Sequence, residues 1–470
     1  MGRAPRPSEQ GRHVWFSTLH LENWRNFQRV TVGLQRRTFL VGPNASGKSN
    51  FLDVLWFLHD LASVGGGFQE AVRKRGGVSK LRCLAARQYP DIVVKVELAA
   101  GENGPNAEYE LHFAQDNRQR PIIRKERVAK QGKEILARPN EEDAKDPERL
   151  TQTYIEQVNV NQQFRDVAEF FSSVRYLHLV PQLVREPDRS VGKRNDPFGG
   201  DFLEQVARTP EKTRDARLRK IQEALRVAVP QLKEVKLWRD VRGTPHLRGR
   251  YEHWRPQGAW QTEDQFSDGT LRLMGLLWAV LDGSGPLLLE EPELSLHSEV
   301  VRYIPAMFAR IQRKSSRQVL ASTHSSDLLR DEGIGLDEVL LLKPSSEGTT
   351  VETAAKFGQI RPLLQSGLSV AEAVIPIAKI PIMPENELQP KQLVIQLARR
   401  SRRNTIRTDL LPRPGGGRTV GPGYAAQLVR FISDEAGGWR PNVAEERSPS
   451  LSGCIRCLTR LVGSGASQAQ

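Results

Sequence analysis

The chain has 470 residues, 38% of them hydrophobic and 26% charged, with a formal net charge of +14 and a pI near 9.8. This is the balance of a soluble globular protein with room for one large discontinuous domain or two to three smaller ones, and its excess of positive charge points to polyanionic partners. Three cysteines argue against a disulfide framework and suit a reducing cytoplasm, "MGRAPRPSEQGRHVWF" lacks the apolar core of a secretory signal, and "LMGLLWAVLDGSGPLLL" is too interrupted by Asp282, glycines and Pro286 to span a membrane.

Residues 14–41 read as short strands in "VWFSTLHLEN", "FQRVTVGL" and "RTFLVG". The last of these runs into "GPNASGKS", Gly42 to Ser49, which satisfies the phosphate-binding pattern G-x-x-x-x-G-K-[ST]. Glycines let the backbone N–H groups of such a loop turn inward on phosphates, Lys48 can reach the β/γ oxygens, and the Ser49 hydroxyl can ligate Mg²⁺. "KSNFLDVLWFLHDLA" follows as a helix, with Phe51, Val54, Leu55 and Leu58 on one face. Strand, glycine loop and helix is the context that the pattern requires, so the loop is expected to hold a nucleoside triphosphate.

From residue 91, "DIVVKVEL", "AEYELHF" and "KEILAR" predict a largely antiparallel β layer through 138. "ERLTQTYIEQVNVNQQFRDVAEFFSSV" reads as helical, leading into a buried strand "RYLHLV". Residues 211–228 predict an amphipathic helix that ends before Pro230. "FSDGT", residues 266–270, opens a buried helix; its start is a ready anion site, although a plain Ser267 N-cap explains it equally well. "PLLLEE", "RQVLAST" and "DEVLLLK" are apolar runs of the length of buried parallel strands. The first ends in Glu290 and Glu291, which would place one carboxylate beside a metal and the next beside an attacking water; a capped strand before an acidic proline turn is the plainer explanation. The second is followed by His324, 33 residues after Glu291, in a polar "STHSS" cluster at a strand's carboxyl end. No repeat and no long heptad array is present. Beyond about residue 376 the chain turns proline-punctuated and basic, with 13 Lys/Arg against 5 Asp/Glu from Lys391 to Gln470, so partial disorder is expected there.

These four elements, in this order, resemble the ATP-binding-cassette ATPases: "GPNASGKS" as Walker A, "FSDGT" as a degenerate signature, "LLLEEPE" as Walker B and "STH" as the H-loop. With "NWRNF" near the start and an "EEPE" Walker B, the chain is similar to the RecF, SMC and OLD-type ATPases, and "RKRGGVSKLR" and "SDGTLRLMGLLWAVL" resemble the short RecF-like members. The resemblance covers residues 14–375. It implies an α/β P-loop NTPase with a mixed central sheet, an antiparallel β layer and a helical subdomain. The organisation it suggests is an N-terminal core part at 14–90, a β layer with helical insertion at 91–170, a second core part at 171–375 and a basic tail at 376–470.

ATP and Mg²⁺ are the implied cofactors. Gly42, Pro43, Asn44, Ala45, Ser46, Gly47, Lys48, Ser49 and Asn50 would cradle the nucleotide, and Arg25 of "NWRNF" would reach the phosphates. Ser49 and Glu290 would hold the metal, with Gln182 of "LVPQLV" as a weak third candidate. Glu291 would polarise the attacking water, and His324 would sense the γ-phosphate. Ser267, Asp268 and Gly269 would close over ATP bound to a second protomer, giving an ATP-driven head-to-tail homodimer. Three departures from the pattern lead us to expect slow turnover: Asp268 in place of the signature's second-position glycine, Glu290 in place of an aspartate, and His297 where many cassettes carry an aspartate. No Asp-x-Asp follows Glu332, so the nuclease domain of OLD-type proteins is not expected, and "CIRC", Cys454 to Cys457, has too few ligands for a structural zinc. The resemblance implies an ATPase acting on DNA in repair or anti-phage defence, alone or with a separate nuclease or effector. The alternative is a nucleotide-dependent switch that clamps a partner with little hydrolysis.

Overall fold

The computed structural model describes residues 14–378 apart from 86–90, 102–104, 187–194, 227, 254–258, 316 and 366. The basic tail, including Arg399 to Arg418 and the Cys454/Cys457 pair, lies outside the described residues.

The strands are β1 (Val14–Trp24), β2 (Phe27–Gly33), β3 (Arg37–Val41), β4 (Ile92–Ala100), β5 (Pro105–Gln115), β6 (Pro121–Lys130), β7 (Lys133–Arg138), β8 (Arg175–Leu177), β9 (Leu232–Arg239), β10 (Pro245–Tyr251), β11 (Ala259–Thr262), β12 (Leu287–Glu290), β13 (Val319–Thr323), β14 (Val339–Ser345) and β15 (Gly348–Thr353). They form three sheets, in the orders β2-β1-β4-β5-β6-β7, β15-β14-β3-β13-β12-β8 and β11-β10-β9. The second sheet carries the phosphate-loop strand. It is parallel except at its β15 edge, with Leu40 opposite Ser322 of β13 and Leu340 of β14.

Parallel strands covered on both faces read as continuous apolar runs, and their alternate residues feed two cores. Leu40, Leu288, Leu320 and Leu340 face one core, where they meet the antiparallel sheet and the helix Lys48–Ala62. Phe39, Val41, Leu287, Leu289, Val319 and Ala321 face the other, against the helix Asp268–Leu281. The antiparallel sheet shows the period-two alternation expected of strands with one wet face: Leu19, Leu21, Val94, Val96 and Leu98 are buried. Trp24 meets Phe57 edge-on at 5.2 Å between ring centroids, which fixes the phosphate-loop helix against this layer.

Two expectations from the sequence need correction. The stretch 148–174 is not one helix: it has 3₁₀ turns at Pro147–Thr151 and Gln162–Phe164, and α-helix only over Arg165–Ser172. The reason is a competing acceptor. The buried Glu126 carboxylate takes the backbone N–H groups of Tyr154 (2.8 Å) and Ile155 (3.2 Å), which a helix would have given to its own carbonyls. "RYLHLV" is not a buried strand either, because only Arg175–Leu177 pairs, half-buried at the sheet edge beside β12. After it, the backbone N–H groups of His178 and Val180 go to the carbonyls of Pro197 and Phe198 instead of continuing the ladder. The sheet β9–β11 was not foreseen. It adjoins the helices Phe202–Arg208 and Glu211–Leu225, with Gly249 against Phe266 beside the start of the helix that Ser267 caps.

Candidate nucleotide site

The carboxyl ends of β3, β12 and β13 lie side by side, and everything singled out in Walker A, Walker B and the H-loop hangs from them. Leaving β3, the chain turns through Pro43–Ser46, with Ala45 at φ 61° and Gly47 at φ 93°, and starts the helix at Lys48. Glycine is required at both ends of this loop. A Cβ on Gly42 would lie 2.7 Å from the Leu342 carbonyl, and one on Gly47 would run into the side-chain amide of Asn26. Asn26 is a member of the site that the sequence did not single out. It donates to the Ser46 carbonyl (3.1 Å) and Thr349 Oγ1 (2.8 Å) and accepts from Asn50 Nδ2 (2.7 Å), so it staples the loop to β15 and to the helix. Asn44 and Ala45 are exposed at the loop's tip, whereas Ser46 and Lys48 are buried.

Lys48 Nζ donates to the carbonyls of Gly42 (3.0 Å) and Pro43 (3.1 Å), which directs the ammonium back over the loop. Burial lowers its pKa, while Glu291, Glu293 and Glu290 act in the opposite sense. Ser49 Oγ donates to Glu290 Oε1 in a short contact. The other Glu290 oxygen accepts the Tyr176 hydroxyl, also in a short contact, and lies 3.8 Å from His178 Nδ1. Glu291, at φ 44°, turns its carboxylate the other way, 3.2 Å from His324 Nδ1. That hydrogen bond holds Glu291 below and His324 above their ordinary pKa ranges. The next carboxylate, Glu293, is buried. Its Oε1 accepts from the Thr323 hydroxyl (2.5 Å) and the His324 N–H (3.4 Å), and among the described residues its Oε2 has no hydrogen-bond partner. Burial raises its pKa.

Other sequence-predicted residues sit elsewhere. Arg25, at φ 49°, gives its guanidinium to Asp53 of the phosphate-loop helix (3.0 Å), within a chain of charges that continues through Arg75 to the buried Asp60. Gln182 is exposed on the short helix Pro181–Val184, and among the described residues no hydrogen bond joins it to Ser49 or Glu290. From that part of the chain, Tyr176 and His178 are the side chains that reach Glu290. Ser267 is the N-cap of its helix, accepting from the Thr270 N–H at 3.2 Å, and Asp268 pairs with Arg185 at 2.6 Å. Gly269 is needed for packing, since a Cβ there would lie 2.6 Å from the Ser295 carbonyl. His297 caps the helix Ser298–Val301, its Nδ1 accepting from the Glu299 N–H at 3.3 Å. Arg272, one turn after the signature, lines a small cavity with Glu290 and Glu291.

The residues present suit a magnesium nucleotide. The loop brings backbone into space that a Cβ would fill, the ammonium of Lys48 lies over it, and the donors meeting at Ser49 and Glu290 are oxygens, as a hard cation requires. Among the described residues no group of three or more His, Cys, Asp or Glu side chains is placed to hold a metal, and Mg²⁺ commonly shares its protein ligands with phosphates and water.

No curated protein matches the chain. Among solved structures it is similar to an Smc head bound to the C-winged helix domain of ScpA (15% identity, TM-score 0.41, 72% of this chain and 97% of that one). It is also similar to an Smc head with an extended coiled coil bound to the C-terminal domain of ScpA derived from Pyrococcus furiosus (11%, 0.44, 78% and 99%). A third is the SMC head domain from Thermotoga maritima (14%, 0.39, 72% and 98%). The family model described as "AAA domain, putative AbiEii toxin, Type IV TA system" matches residues 37–331, from β3 past the H-loop. With the phosphate loop and the paired carboxylates at adjoining strand ends, that match places the chain in this AAA family of P-loop ATPases.

Proposed function

We propose that the chain hydrolyses ATP with Mg²⁺, slowly, as a head-to-tail homodimer that acts on DNA in repair or anti-phage defence. The observation that carries this reading is the separation of roles at the end of β12. Glu290 faces Ser49 and Glu291 faces His324, so the metal-side and water-side carboxylates have different partners. Mg²⁺ and ATP, when bound, supply the electrophilic phosphorus and the charge neutralisation. Lys48 and the loop amides bind and orient the phosphates, while Ser49 and Glu290 hold the metal. Glu291 orients the attacking water and takes its proton at the carboxylate, and His324 positions Glu291. Ser267 and Gly269, at a helix start, face the nucleotide of the second protomer. The charge of +14 and the basic segment after residue 391 support a DNA partner. The pairing of Asp268 with Arg185 and the cap made by His297 favour the second reading, a switch that clamps a nuclease or effector with little hydrolysis, because both residues are committed within their own chain.

One experiment separates the readings. Glu291→Gln should bind ATP, become dimeric by light scattering and release almost no phosphate, whereas Lys48→Ala should bind ATP weakly and stay monomeric. Wild-type phosphate release equal to that of Glu291→Gln would leave only the switch, and a Glu291→Gln monomer in saturating ATP would rule out the shared site.

A further inference from the structure

The outer face of the β9–β11 sheet bears a cluster that the nucleotide site does not use. Alternation along β9 and β10 puts Val235 and Leu247 into the core, with Gly249 close against Phe266. The cross-strand pairs on the opposite face are Trp238 with His246, Lys236 with Arg248, and Arg250 with Trp260. Trp238 is 39% exposed, unusual for so large an apolar side chain. The Arg248 guanidinium lies 5.1 Å from the Trp238 ring centre and 5.4 Å from that of Trp260, and Lys236 Nζ lies 4.0 Å from the Trp260 ring centre. Cations and indoles therefore alternate across the face.

The charge on this face is only partly neutralised. From Leu232 to Glu252 the sequence carries six Lys/Arg and three acids, and Glu252 is taken by Lys233 at 2.9 Å. Glu234 is taken by Arg250 at 3.0 Å and reaches Lys236 only at 4.0 Å, and among the described residues Arg248 has no ion-pair partner. His246 is held by Glu263 at 2.6 Å. A sheet face offering an exposed Trp238 and a half-buried Trp260 beside cations matches a chain of phosphates carrying bases with exposed faces. Duplex DNA presents phosphates and base edges but keeps its base faces stacked. We infer that this face binds single-stranded DNA, with bases stacking on Trp238 and Trp260 and phosphates meeting Lys236 and Arg248. The inference rests on the reading of the protein as acting on DNA and names the strand form and the surface.

The test is fluorescence anisotropy of the full-length protein with a labelled oligo-dT of about 20 nucleotides, long enough to cover a site of this kind. Trp238→Ala and Trp260→Ala should each weaken binding about tenfold, whereas Trp238→Phe should stay within about threefold of wild type. The double variant Lys236→Gln/Arg248→Gln keeps both rings and should flatten the slope of log affinity against log salt by roughly 1.4, at about 0.7 per lost single-strand contact. Unchanged dT binding in both alanine variants, with an unchanged salt slope in the double variant, overturns the inference and leaves the DNA reading standing. Equal losses with a duplex of the same length, or tighter binding of oligo-rU than of oligo-dT, also overturn it. No binding of either DNA form by the wild type overturns the inference and the DNA reading together.

Discussion

Glu126→Ala is the substitution with the largest expected effect on the antiparallel layer. The Glu126 side chain is fully buried and meets Arg138, itself 2% exposed, at 2.9 Å. It also accepts from the Tyr109 hydroxyl (3.2 Å) and from the backbone N–H groups of Tyr154 and Ile155 (2.8 Å and 3.2 Å). Truncation orphans these three neutral donors and removes one of the two carboxylates beside Arg138, which keeps the paired oxygens of Asp143 at 2.8 Å and 3.0 Å. Orphaned buried donors cost about 1–3 kcal/mol each, and broken buried ion pairs cost about 3–5 kcal/mol in total. Because Asp143 still covers part of the guanidinium, we place the loss at the lower end of these figures, about 3–4 kcal/mol, or a fall in Tm of roughly 5 °C for a unit of this size. The damage should spread toward the nucleotide site, because the segment that Glu126 pins leads into the helix Arg165–Ser172 and then β8, which carries Tyr176. Scanning calorimetry and urea unfolding measure the loss, and amide hydrogen exchange should show residues 152–161 opening first. A Glu126→Ala protein melting within about 2 °C of wild type would refute the assignment of Glu126 as the organiser of this segment.

Two predictions concern pH. Burial pushes the Glu156 carboxyl up to about 7, so the folded protein holds a proton there that the unfolded chain releases near its ordinary value of about 4.3. Stability contributed by this group is therefore present at low pH and lost as pH rises toward 7, by up to about 3 kcal/mol; Glu156→Gln should remove that part of the dependence in urea titrations across pH 4.5–7.5, and identical profiles would count against it. At the candidate nucleotide site, His324 is raised by its hydrogen bond to Glu291, and below that raised pKa the imidazolium occupies the carboxylate that we propose accepts the water's proton. ATP hydrolysis should rise about tenfold per pH unit until His324 loses its proton above the ordinary value of about 6.5, and His324→Gln should lack this limb in kcat; a wild-type profile flat across the range would contradict the arrangement.

What the sequence could show was whatever depended on neighbours along the chain. The phosphate loop is eight consecutive residues between a strand and a helix, alternation marked β4, β5 and β7, and continuous apolar runs marked β12, β13 and β14, while β6 fell within the expected layer without being singled out. What escaped was set by distant partners. The 148–174 stretch has helical periodicity, but Glu126, more than twenty residues earlier, captures its N–H groups. Tyr176 and His178 meet Glu290 only because β8 pairs with β12, more than a hundred residues away in sequence. β9 was missed because "LKEVKLWR" carries charge on its outer side and only a few apolar residues on its inner side. Asp268 breaks a glycine motif in the sequence, and its partner Arg185 lies too far away along the chain to be read there.

Glu290 shows how the sheet selects a residue where the local pattern called for a shorter one. β12 ends between β13 and β8, with Ser49 at the start of the phosphate-loop helix on one side and Tyr176 from the edge strand on the other. One carboxylate serves both hydroxyls, one on each oxygen, and it does so from a side chain one methylene longer than aspartate. Burial and the neighbouring Glu290 carboxylate push the Tyr176 pKa up, so the phenol keeps its proton and donates it to Glu290. Glu290 is then held by two hydroxyl donors, Ser49 on one oxygen and Tyr176 on the other. The edge strand β8 thereby becomes part of the nucleotide site, because any shift of β8 relative to β12 moves Tyr176 and with it the oxygen opposite Ser49. A departure that first reads as a weakened Walker B is, in this fold, the carboxylate that joins the start of the phosphate-loop helix to the edge strand of the sheet.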